Sequence, residues 1–290
     1  PVLGALALGA QRLLPLVQQI YLGWANTMGN RNNLTDIVEL LNRPAPVLAL
    51  AKETLPFANA IVLDNVGYTY AQARGRALHG VSLEIPKGAR VGIAGKTGSG
   101  KSTLMDLVLG LLEPTEGEIN IDGVKLTAKN RAAWQKNIAH VPQAIFLADA
   151  SVAENIAFGV KREEIDRERV RLAAEQAELA DVVAKLPNSY DTRVGDRGIQ
   201  LSGGQRQRFG IARALYILAS VLVFDEATSA LDTETEIAVM TAIERLDRNL
   251  TILIIAHRLS TLEGCDMVVN LEEGRITNIN QPALPQGVAK

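Results

Sequence analysis

A glycine-rich loop, Gly95–Thr103, is the feature that most constrains how this chain can fold. Its sequence, GKTGSGKST, fits the pattern G-x-x-x-x-G-K-[ST]. An apolar, strand-like run, Ala89–Ala94, precedes the loop, and a helix-like run, Ser102–Leu109, follows it. Glycines let several backbone N–H groups point at one anion, and the following helix adds its positive end. This context favours a phosphate-binding site in an α/β domain over a glycine-rich turn that binds nothing.

Four side chains have the chemistry that a bound triphosphate and its metal ion require. Lys101 can reach the β- and γ-phosphates, and the hydroxyl of Ser102 can bind Mg²⁺. Asp225 and Glu226 follow the apolar run Val221–Phe224, which is typical of a parallel strand, and ligands lie beyond the carboxyl ends of such strands. Asp225 can hold Mg²⁺ directly or through water, and Glu226 can orient an attacking water or accept its proton. An acidic pair that caps a helix is the structural alternative.

A second anion-binding device, Leu201–Gln205, has the sequence LSGGQ. Its two glycines allow close approach to the backbone, and the helix predicted to follow, Arg206–Leu218, presents its positive end. A glycine-rich helix start with Ser202 as the N-cap is the structural alternative. One chain has little need of two phosphate cradles for one nucleotide. The second cradle is therefore expected to serve a nucleotide that another copy of the chain holds.

Composition narrows the classes of protein that remain. The 290 residues suffice for one large domain or two modest ones, and 47% of them are hydrophobic, so a sizeable core is available. The net charge of −2 does not suggest a nucleic-acid partner, because such proteins usually carry a basic surface. Cys265 is the only cysteine, so an intrachain disulfide is excluded, which suits a reducing compartment.

The first 43 residues are predicted to be helical. Apolar residues recur near helical spacing across Arg12–Leu41, with a kink expected at Pro15 and a break at Asn30–Asn33. Pro1–Ala10 is almost wholly apolar but shorter than the about 20 residues that span a membrane. On its own, this run is either the tail of a truncated membrane span or an ordinary helix.

The remainder alternates strand and helix patterns. A proline-containing linker is expected at 44–58, an α/β domain at 59–275 and a loose tail at 276–290. The stretch Arg162–Lys185 is rich in charge and alanine, which favours helices, so a helical insert is expected at about 144–217. Strands are predicted at Ala60–Leu63, Gly67–Tyr70, Val81–Ile85, Gly117–Asp122, Ile138–Pro142 (buried), Val221–Phe224, Thr251–Ile255 and Met267–Leu271, with a helix at Thr233–Leu246.

The phosphate loop, Leu201–Gln205 and Val221–Glu226 occur in this order and spacing in the ATP-binding cassette (ABC) ATPases, which the chain resembles across about Ala60–Gly274. The LSGGQ segment distinguishes this family from many other phosphate-loop ATPases, which lack it. The resemblance implies an α/β fold with a phosphate-loop (RecA-like) core, an antiparallel β subdomain and an inserted α-helical subdomain. It also implies that the chain binds ATP and Mg²⁺ and hydrolyses ATP.

The same resemblance implies roles for residues that carry little signal alone. Tyr70 matches the aromatic side chain that stacks on adenine, although Tyr68, two residues earlier, could be confused with it. Gln143 matches the glutamine that touches Mg²⁺ and the γ-phosphate side. Asp232 matches a loop that crosses the dimer interface, and His257 matches the histidine that contacts the γ-phosphate.

The resemblance implies three sets of site residues: catalytic residues, Mg²⁺ ligands and nucleotide contacts. The catalytic residues are Glu226, His257, Lys101 and Gln143, and the Mg²⁺ ligands are Ser102, Gln143 and Asp225. The nucleotide contacts are Tyr70, Gly95, Thr97, Gly98, Ser99, Gly100, Lys101, Ser102, Thr103, Ser202, Gly203, Gly204, Gln205 and Asp232.

Two further segments resemble the exporter branch of the family. Thr192–Gly198 is similar to the loop that contacts the coupling helices of the membrane domain, with Asp196 where exporters usually have Glu. Arg12–Leu41 resembles the cytoplasmic end of the last transmembrane helix of a half-transporter, which favours a truncated span for Pro1–Ala10. The implied location is the cytoplasmic face of a membrane, most simply the bacterial inner membrane.

The resemblance implies an ATPase that powers export by dimerising head to tail. Each ATP is expected between Lys101 of one copy and Ser202 and Gly204 of a second domain, either an identical copy or a related one. A soluble, mechanical ABC ATPase is the alternative, but it should show coiled-coil insertions or a second cassette, and neither is visible. A cassette that only binds ATP usually departs at the residues matching Glu226 or His257, and both are present.

Overall fold

The computed structural model describes residues 2–42, 53–71, 75–195, 199, 201–225, 233–256 and 262–280. The chain divides into two compact units, Pro1–Ala49 and Leu50–Lys290. The described part of the first unit is one helix, α1 (Val2–Asn42). The described strands of the second unit are β1 (Ala60–Tyr68), β2 (Leu78–Pro86), β3 (Arg90–Ala94), β4 (Glu116–Ile121), β5 (Val124–Lys125), β6 (Ile138–Val141), β7 (Ala150–Ser151), β8 (Arg193–Val194), β9 (Val221–Asp225), β10 (Thr251–Ile255), β11 (Met267–Glu272) and β12 (Arg275–Asn280). Its described α-helices are α2 (Lys101–Val108), α3 (Arg131–Gln135), α4 (Val152–Ile156), α5 (Arg167–Gln176), α6 (Ala180–Ala184), α7 (Gly203–Tyr216) and α8 (Thr233–Glu244).

Helix α1 includes Pro15 and continues through Asn30–Asn33, so the predicted break at that point is wrong. The side-chain amide of Asn30 donates to the carbonyl oxygen of Asn26 at 3.0 Å, one turn earlier, and thus joins the helix instead of ending it. The large apolar side chains that the structure describes along α1 are exposed. None of the described helices has the combination of length and apolar character that crossing a membrane requires.

An antiparallel sheet has the strand order β2-β1-β4-β5. Alternate residues of β2 are buried, because one face of this sheet packs on the core while the other meets solvent. The two strands predicted at 60–63 and 67–70 form the single strand β1 up to Tyr68. Its register shifts between Leu63 and Val66, where Asn65 has a φ of 47°. This irregularity explains why the sequence pattern shows two short strands.

A six-stranded sheet with the order β12-β11-β3-β10-β9-β6 forms the α/β core. The five strands from β11 to β6 are parallel to one another. Strands β3 and β10 are buried along their whole length, as is typical of parallel strands covered on both faces. Strand β6 is an edge strand with an exposed His140, so the prediction that it is a buried strand is wrong.

Strand β12 was not predicted, because 276–290 was expected to be a loose tail. Residues 276–280 instead pair antiparallel with β11 at the edge of the large sheet. Glu273 and Gly274 form the turn between the two strands, with φ values of 46° and 74°. The sequence pattern does not reveal this strand because β12 lies at an exposed edge of the sheet and has no continuous apolar face.

Helices α4 to α7 lie between residues 152 and 216, in the part of the chain where helices were expected. Asp166 caps α5 by accepting the N–H of Arg169 at 3.1 Å, which satisfies a free donor of the first turn. Together with the two sheets, these helices confirm the predicted fold class: an α/β core, an antiparallel β subdomain and an α-helical region.

Trp134 in α3 anchors the end of α2 to the core. Its indole N–H donates to the carbonyl oxygen of Val108 at 2.8 Å, and its ring meets the ring of Phe57 edge-on at 5.5 Å. Trp134 is fully buried, so both contacts are shielded from water. Because α2 follows the glycine-rich loop, this anchor also steadies the helix on which the loop rests.

We predict that Trp134→Phe lowers the free energy of unfolding by about 1–3 kcal/mol, because the buried carbonyl oxygen of Val108 loses its donor. Urea denaturation monitored by circular dichroism measures the change. Trp24→Phe, at an exposed position of α1, is the matched control and should leave the free energy of unfolding unchanged. Equal stability of both variants would contradict the anchoring role.

Candidate functional site

The glycine-rich loop joins β3 to α2 at the carboxyl edge of the large sheet. Gly95 and Gly100 have φ values of 156° and 103°, which favour glycine. A Cβ atom on Gly95 would lie 2.3 Å from the carbonyl oxygen of Leu271, and one on Gly100 would lie 2.8 Å from that of Ala77. Both positions therefore require glycine for conformation and for space.

Lys101, the first residue of α2, bonds back to the start of the glycine-rich loop. Its ammonium group donates to the carbonyl oxygens of Gly95 at 2.8 Å and Lys96 at 3.1 Å. The residue is only 6% exposed, so these contacts hold a cation at the mouth of the loop with little competition from water. This is where an anionic phosphate chain would enter.

A cavity of about 460 Å³ opens in front of the loop. Tyr70 lines the cavity, and the Tyr70 hydroxyl lies 3.1 Å from the hydroxyl of Thr103 in α2. Tyr68 meets the ring of Tyr70 edge-on at 4.9 Å but packs against the hydrophobic core and does not line the cavity. Tyr70 is therefore the better candidate for stacking on a base. The cavity is lined by Tyr70, Arg76, Ala77, His79, Thr97, Gly98, Gly100, Lys101, Ser102, Thr103, Glu273 and Gly274.

The turn between β11 and β12 supports the loop from behind, which sequence reasoning missed. The N–H of Gly274 donates to the carbonyl oxygen of Ser99 at 3.0 Å, and the carbonyl oxygen of Gly274 accepts the N–H of His79 at 2.8 Å. The turn thus ties β2 to the glycine-rich loop. The Glu273–Gly274 pair after an apolar strand was the available signal for this turn.

Asp225 ends β9 and is half-buried, at the same edge of the sheet as the glycine-rich loop. Its negative charge is felt by Asp106 in α2. Burial and the charge of Asp225 raise the pKa of Asp106 above its ordinary value, while His140 opposes the shift. No group of three or more His, Cys, Asp or Glu side chains able to hold a metal occurs among the residues that the structure describes.

Gln143 follows β6 and is exposed to solvent. Its carbonyl oxygen accepts the side-chain amide of Gln207 in α7 at 2.7 Å. Neither Gln143 nor Asp225 lines the 460 Å³ cavity. The structure therefore brings the phosphate loop and Tyr70 together in one cavity, while these two residues lie outside its wall.

The LSGGQ segment forms the start of α7. Ser202 is the N-cap: its hydroxyl accepts the N–H of Gln205 at 3.3 Å, and its own N–H donates to the side-chain oxygen of Gln205 at 2.9 Å. Ser202 is exposed, and none of the residues Ser202–Gln205 lines the cavity in front of the phosphate loop. The helix also begins at Gly203, three residues before the predicted start, because this reciprocal cap satisfies its first turn. The segment is thus a capped helix start, as the structural alternative has it. Its role in binding a nucleotide held by another copy stays a prediction.

Glu226, Asp232 and His257 lie outside the described residues, and so do Asp196–Gly198. Their predicted roles therefore stay predictions. The strand ends that lead to them are described: β9 ends at Asp225, and β10 ends at Ile255 beside it.

An apolar groove of about 420 Å³ lies between β6 and helices α4 and α7, and sequence reasoning did not identify it. Phe146 and Phe158 are both more than half exposed there. The guanidinium of Arg213 lies 4.8 Å from the centre of the Phe158 ring and donates to the carbonyl oxygen of Asn155 at 2.7 Å. The apolar groove is lined by Ile138, Ala139, His140, Pro142, Ala144, Ile145, Phe146, Ile156, Phe158, Gly210, Arg213, Ala214 and Ile217.

Comparison with known proteins gives a consistent result. The model of the family described as ABC transporter matches residues 78–229, just over half of this chain. An ATP-dependent lipid A-core flippase of Cupriavidus metallidurans is 48% identical over 217 residues, which cover 74% of this chain and 36% of the flippase. A protein of the same name from Aliivibrio fischeri is 43% identical over 216 residues, which cover 74% of this chain and 37% of that protein.

The fold is also similar to a solved structure. The structure of a bacterial Atm1-family ABC exporter with ATP bound matches with a TM-score of 0.73 and 37% sequence identity, and the match covers 87% of this chain and 44% of the exporter chain. This chain therefore spans between 36% and 44% of the length of these relatives.

We predict that Asp106→Asn raises the midpoint of thermal unfolding near pH 8. The pKa of Asp106 is raised in the folded protein, so its ionised form costs stability that grows as pH rises through the folded pKa. The gain from the variant should shrink as the pH approaches about 4, the ordinary range of a carboxyl pKa, because the parent is then protonated. Differential scanning fluorimetry across pH measures the effect. A variant less stable than the parent at every pH would contradict this account.

Proposed function

Because this chain belongs to the ABC transporter family, we propose that it is the nucleotide-binding domain of an exporter, which hydrolyses ATP to drive transport across a membrane. The observation that carries the proposal is the separation of two anion-binding devices. The phosphate loop lines a cavity of its own, while the exposed N-terminus of α7 at Ser202 does not reach that cavity. Each device is half of a site, and two domains arranged head to tail would complete both halves.

ATP binding rests on residues that the cavity brings together. The Tyr70 ring would stack on adenine, with its hydroxyl held by Thr103. Backbone N–H groups of the glycine-rich loop and the ammonium of Lys101 would hold the phosphates, at the positive end of α2. The same ammonium already donates to two consecutive carbonyl oxygens, those of Gly95 and Lys96, so its orientation is set before the nucleotide arrives.

Magnesium would be held by the hydroxyl of Ser102, by Asp225 and by Gln143. Ser102 lines the cavity, and Asp225 supplies a carboxylate at the same edge of the sheet. When bound, Mg²⁺ supplies charge neutralisation across the β- and γ-phosphates.

Hydrolysis would use Glu226 as the residue that orients the attacking water and takes its proton. Lys101, His257 and the N–H groups at the start of α7 of the second domain would stabilise the negative charge of the transition state. Asp232 would lie where the two domains meet. ATP would thus hold the dimer together, and its hydrolysis would release it.

The apolar groove is proposed as the place where the coupling helices of a membrane domain dock. Two exposed aromatic side chains, Phe146 and Phe158, offer the large apolar contact area that protein interfaces favour. The groove lies against β6, which ends two residues before Gln143. A membrane domain docked there would therefore be close to a residue that contacts the nucleotide. Helix α1, whose apolar side chains are exposed, would be the cytoplasmic end of the last transmembrane helix.

The nature of the relatives favours an exporter over a soluble ABC ATPase. The curated relatives are named lipid A-core flippases, and the matched structure is an exporter. We therefore propose an amphipathic lipid as the cargo class and the cytoplasmic face of the bacterial inner membrane as the location. The partner would be a second nucleotide-binding domain, identical or related.

We predict that Glu226→Gln retains ATP binding, lowers turnover by about 10²–10⁴-fold and produces an ATP-stabilised dimer, because water activation is lost while the phosphate site stays intact. ATP hydrolysis assays and light scattering with and without ATP measure the two effects. Glu163→Gln, an equivalent change on an exposed helical turn, is the control. Normal turnover in Glu226→Gln would remove this residue from the mechanism.

We predict that Phe158→Ala in the transporter that contains this chain lowers transport roughly tenfold or more, since a buried aromatic anchor is worth about 2 kcal/mol or more at an interface. Hydrolysis by the 290-residue chain alone should not change. Leu172→Ala, which removes a similarly exposed apolar side chain of α5 away from the groove, is the control for transport. A loss of hydrolysis in the isolated Phe158→Ala chain would instead indicate a role within the domain.

A further inference from the structure

We propose that Gln207 is a positioning residue that couples the two ATP sites of the dimer, by tying the helix of one site to the segment of the other. The proposal rests on the function proposed above, in which α7 serves the ATP held by the second domain and Gln143 serves the ATP held by its own domain. Nothing in the LSGGQ segment itself requires a glutamine two residues after it.

The first observation is a direct contact between the two elements. Gln207 lies in the second turn of α7 and is only 5% exposed. Its side-chain amide donates to the carbonyl oxygen of Gln143 at 2.7 Å. Because the acceptor is backbone, the bond fixes the path of the chain at Gln143 and therefore the place from which its side chain starts.

The second observation is close packing of the same helix face one turn later. A Cβ atom on Gly210 would lie 2.6 Å from Cδ1 of Ile145 and 3.0 Å from Cγ1 of Val141. Any larger residue here would have to displace the end of the Ile145 side chain and would crowd Val141, so glycine lets α7 lie directly against both. Residues 207 and 210 thus hold α7 against both sides of Gln143, so that helix and segment cannot move independently.

The third observation is an unsatisfied atom at this contact. The side-chain oxygen of Gln207 is buried and has no hydrogen-bond partner within the part of the chain that the structure describes. Buried polar atoms are nearly always paired, so a half-satisfied amide is a costly arrangement. The bond to the Gln143 carbonyl is therefore the one hydrogen bond that the structure gives this amide, and it goes to the segment of the other site.

These observations join the two ATP sites through one short path. The N-terminus of α7 at Ser202 would close on the phosphates of the partner's ATP, and Gln143 would touch the Mg²⁺ side of the chain's own ATP. A displacement at either end passes through Gln207, about one and a half helical turns from Ser202. Coupling of this kind is reciprocal, so each ATP would favour binding of the other.

The experiment replaces Gln207 by methionine, which has a similar length and no amide. We expect Gln207→Met to bind ATP as a single chain with unchanged affinity and to hydrolyse it at least about fivefold more slowly. The Hill coefficient for ATP should fall from above 1 in the parent to about 1, because the path between the sites is cut. Turnover against ATP concentration, a nucleotide titration of the dilute chain and thermal unfolding supply these readouts.

Tyr216→Phe is the matched control. Tyr216 lies at the other end of α7, is 4% exposed and also makes one side chain–backbone bond, accepting the N–H of Asp166 at 3.2 Å. The Tyr216→Phe variant should lose about as much stability as the loss of one hydrogen bond costs. Its Hill coefficient for ATP should equal that of the parent. Gly210→Ala is the second variant: it adds bulk at the same contact and should reduce the Hill coefficient as Gln207→Met does.

The outcomes are separable. A Gln207→Met chain that keeps the turnover and Hill coefficient of the parent would overturn the proposal, and so would a parent with normal turnover and a Hill coefficient of 1. If Gln207→Met unfolds, Gly210→Ala decides on the same readouts. Absence of ATP turnover in the parent itself would defeat the proposed function rather than this coupling alone.

Discussion

The close approach of the glycine-rich loop to its backbone neighbours is the constraint on which the site depends. Gly95 passes so near the carbonyl oxygen of Leu271 that no Cβ fits, and the turn at Gly274 holds the carbonyl oxygen of Ser99 from behind. The loop is therefore pressed against the hairpin β11–β12, and Lys101 and glycines of the loop line one cavity. A pre-organised loop of this kind binds a phosphate chain without first having to order itself.

The second constraint is that the chain's two anion-binding ends do not share a cavity. Helix α7 starts at an exposed cap, Ser202, while the phosphate loop lines its own cavity. Family membership and this geometry together lead to the proposal of a shared nucleotide. On that proposal, Gln207 lies between a site that a domain builds for itself and a site that it completes for its partner.

The residues that form the site could be predicted from the sequence more readily than the strand and the contacts that hold them in place. The loop Gly95–Thr103, Asp225 and the Ser202 cap each have a local signature, so their positions follow from pattern and strand order. Strand β12 was missed because an exposed edge strand has no continuous apolar face. The contact of Gln207 was also invisible, since its partner is a carbonyl oxygen that every residue carries. A helix break at Asn30–Asn33 was wrong because amide side chains can bond within the helix.

The most direct measurement of the shared nucleotide is a cross-link between two chains. Thr97→Cys would be introduced into one population and Ser202→Cys into another, both carrying Glu226→Gln, and the mixture oxidised with and without Mg-ATP. The account predicts a disulfide between position 97 of one chain and position 202 of the other that forms only with ATP, since such bonds need Cα atoms within about 7 Å. Cross-links that form equally well without ATP, or only between two copies of position 202, would contradict it.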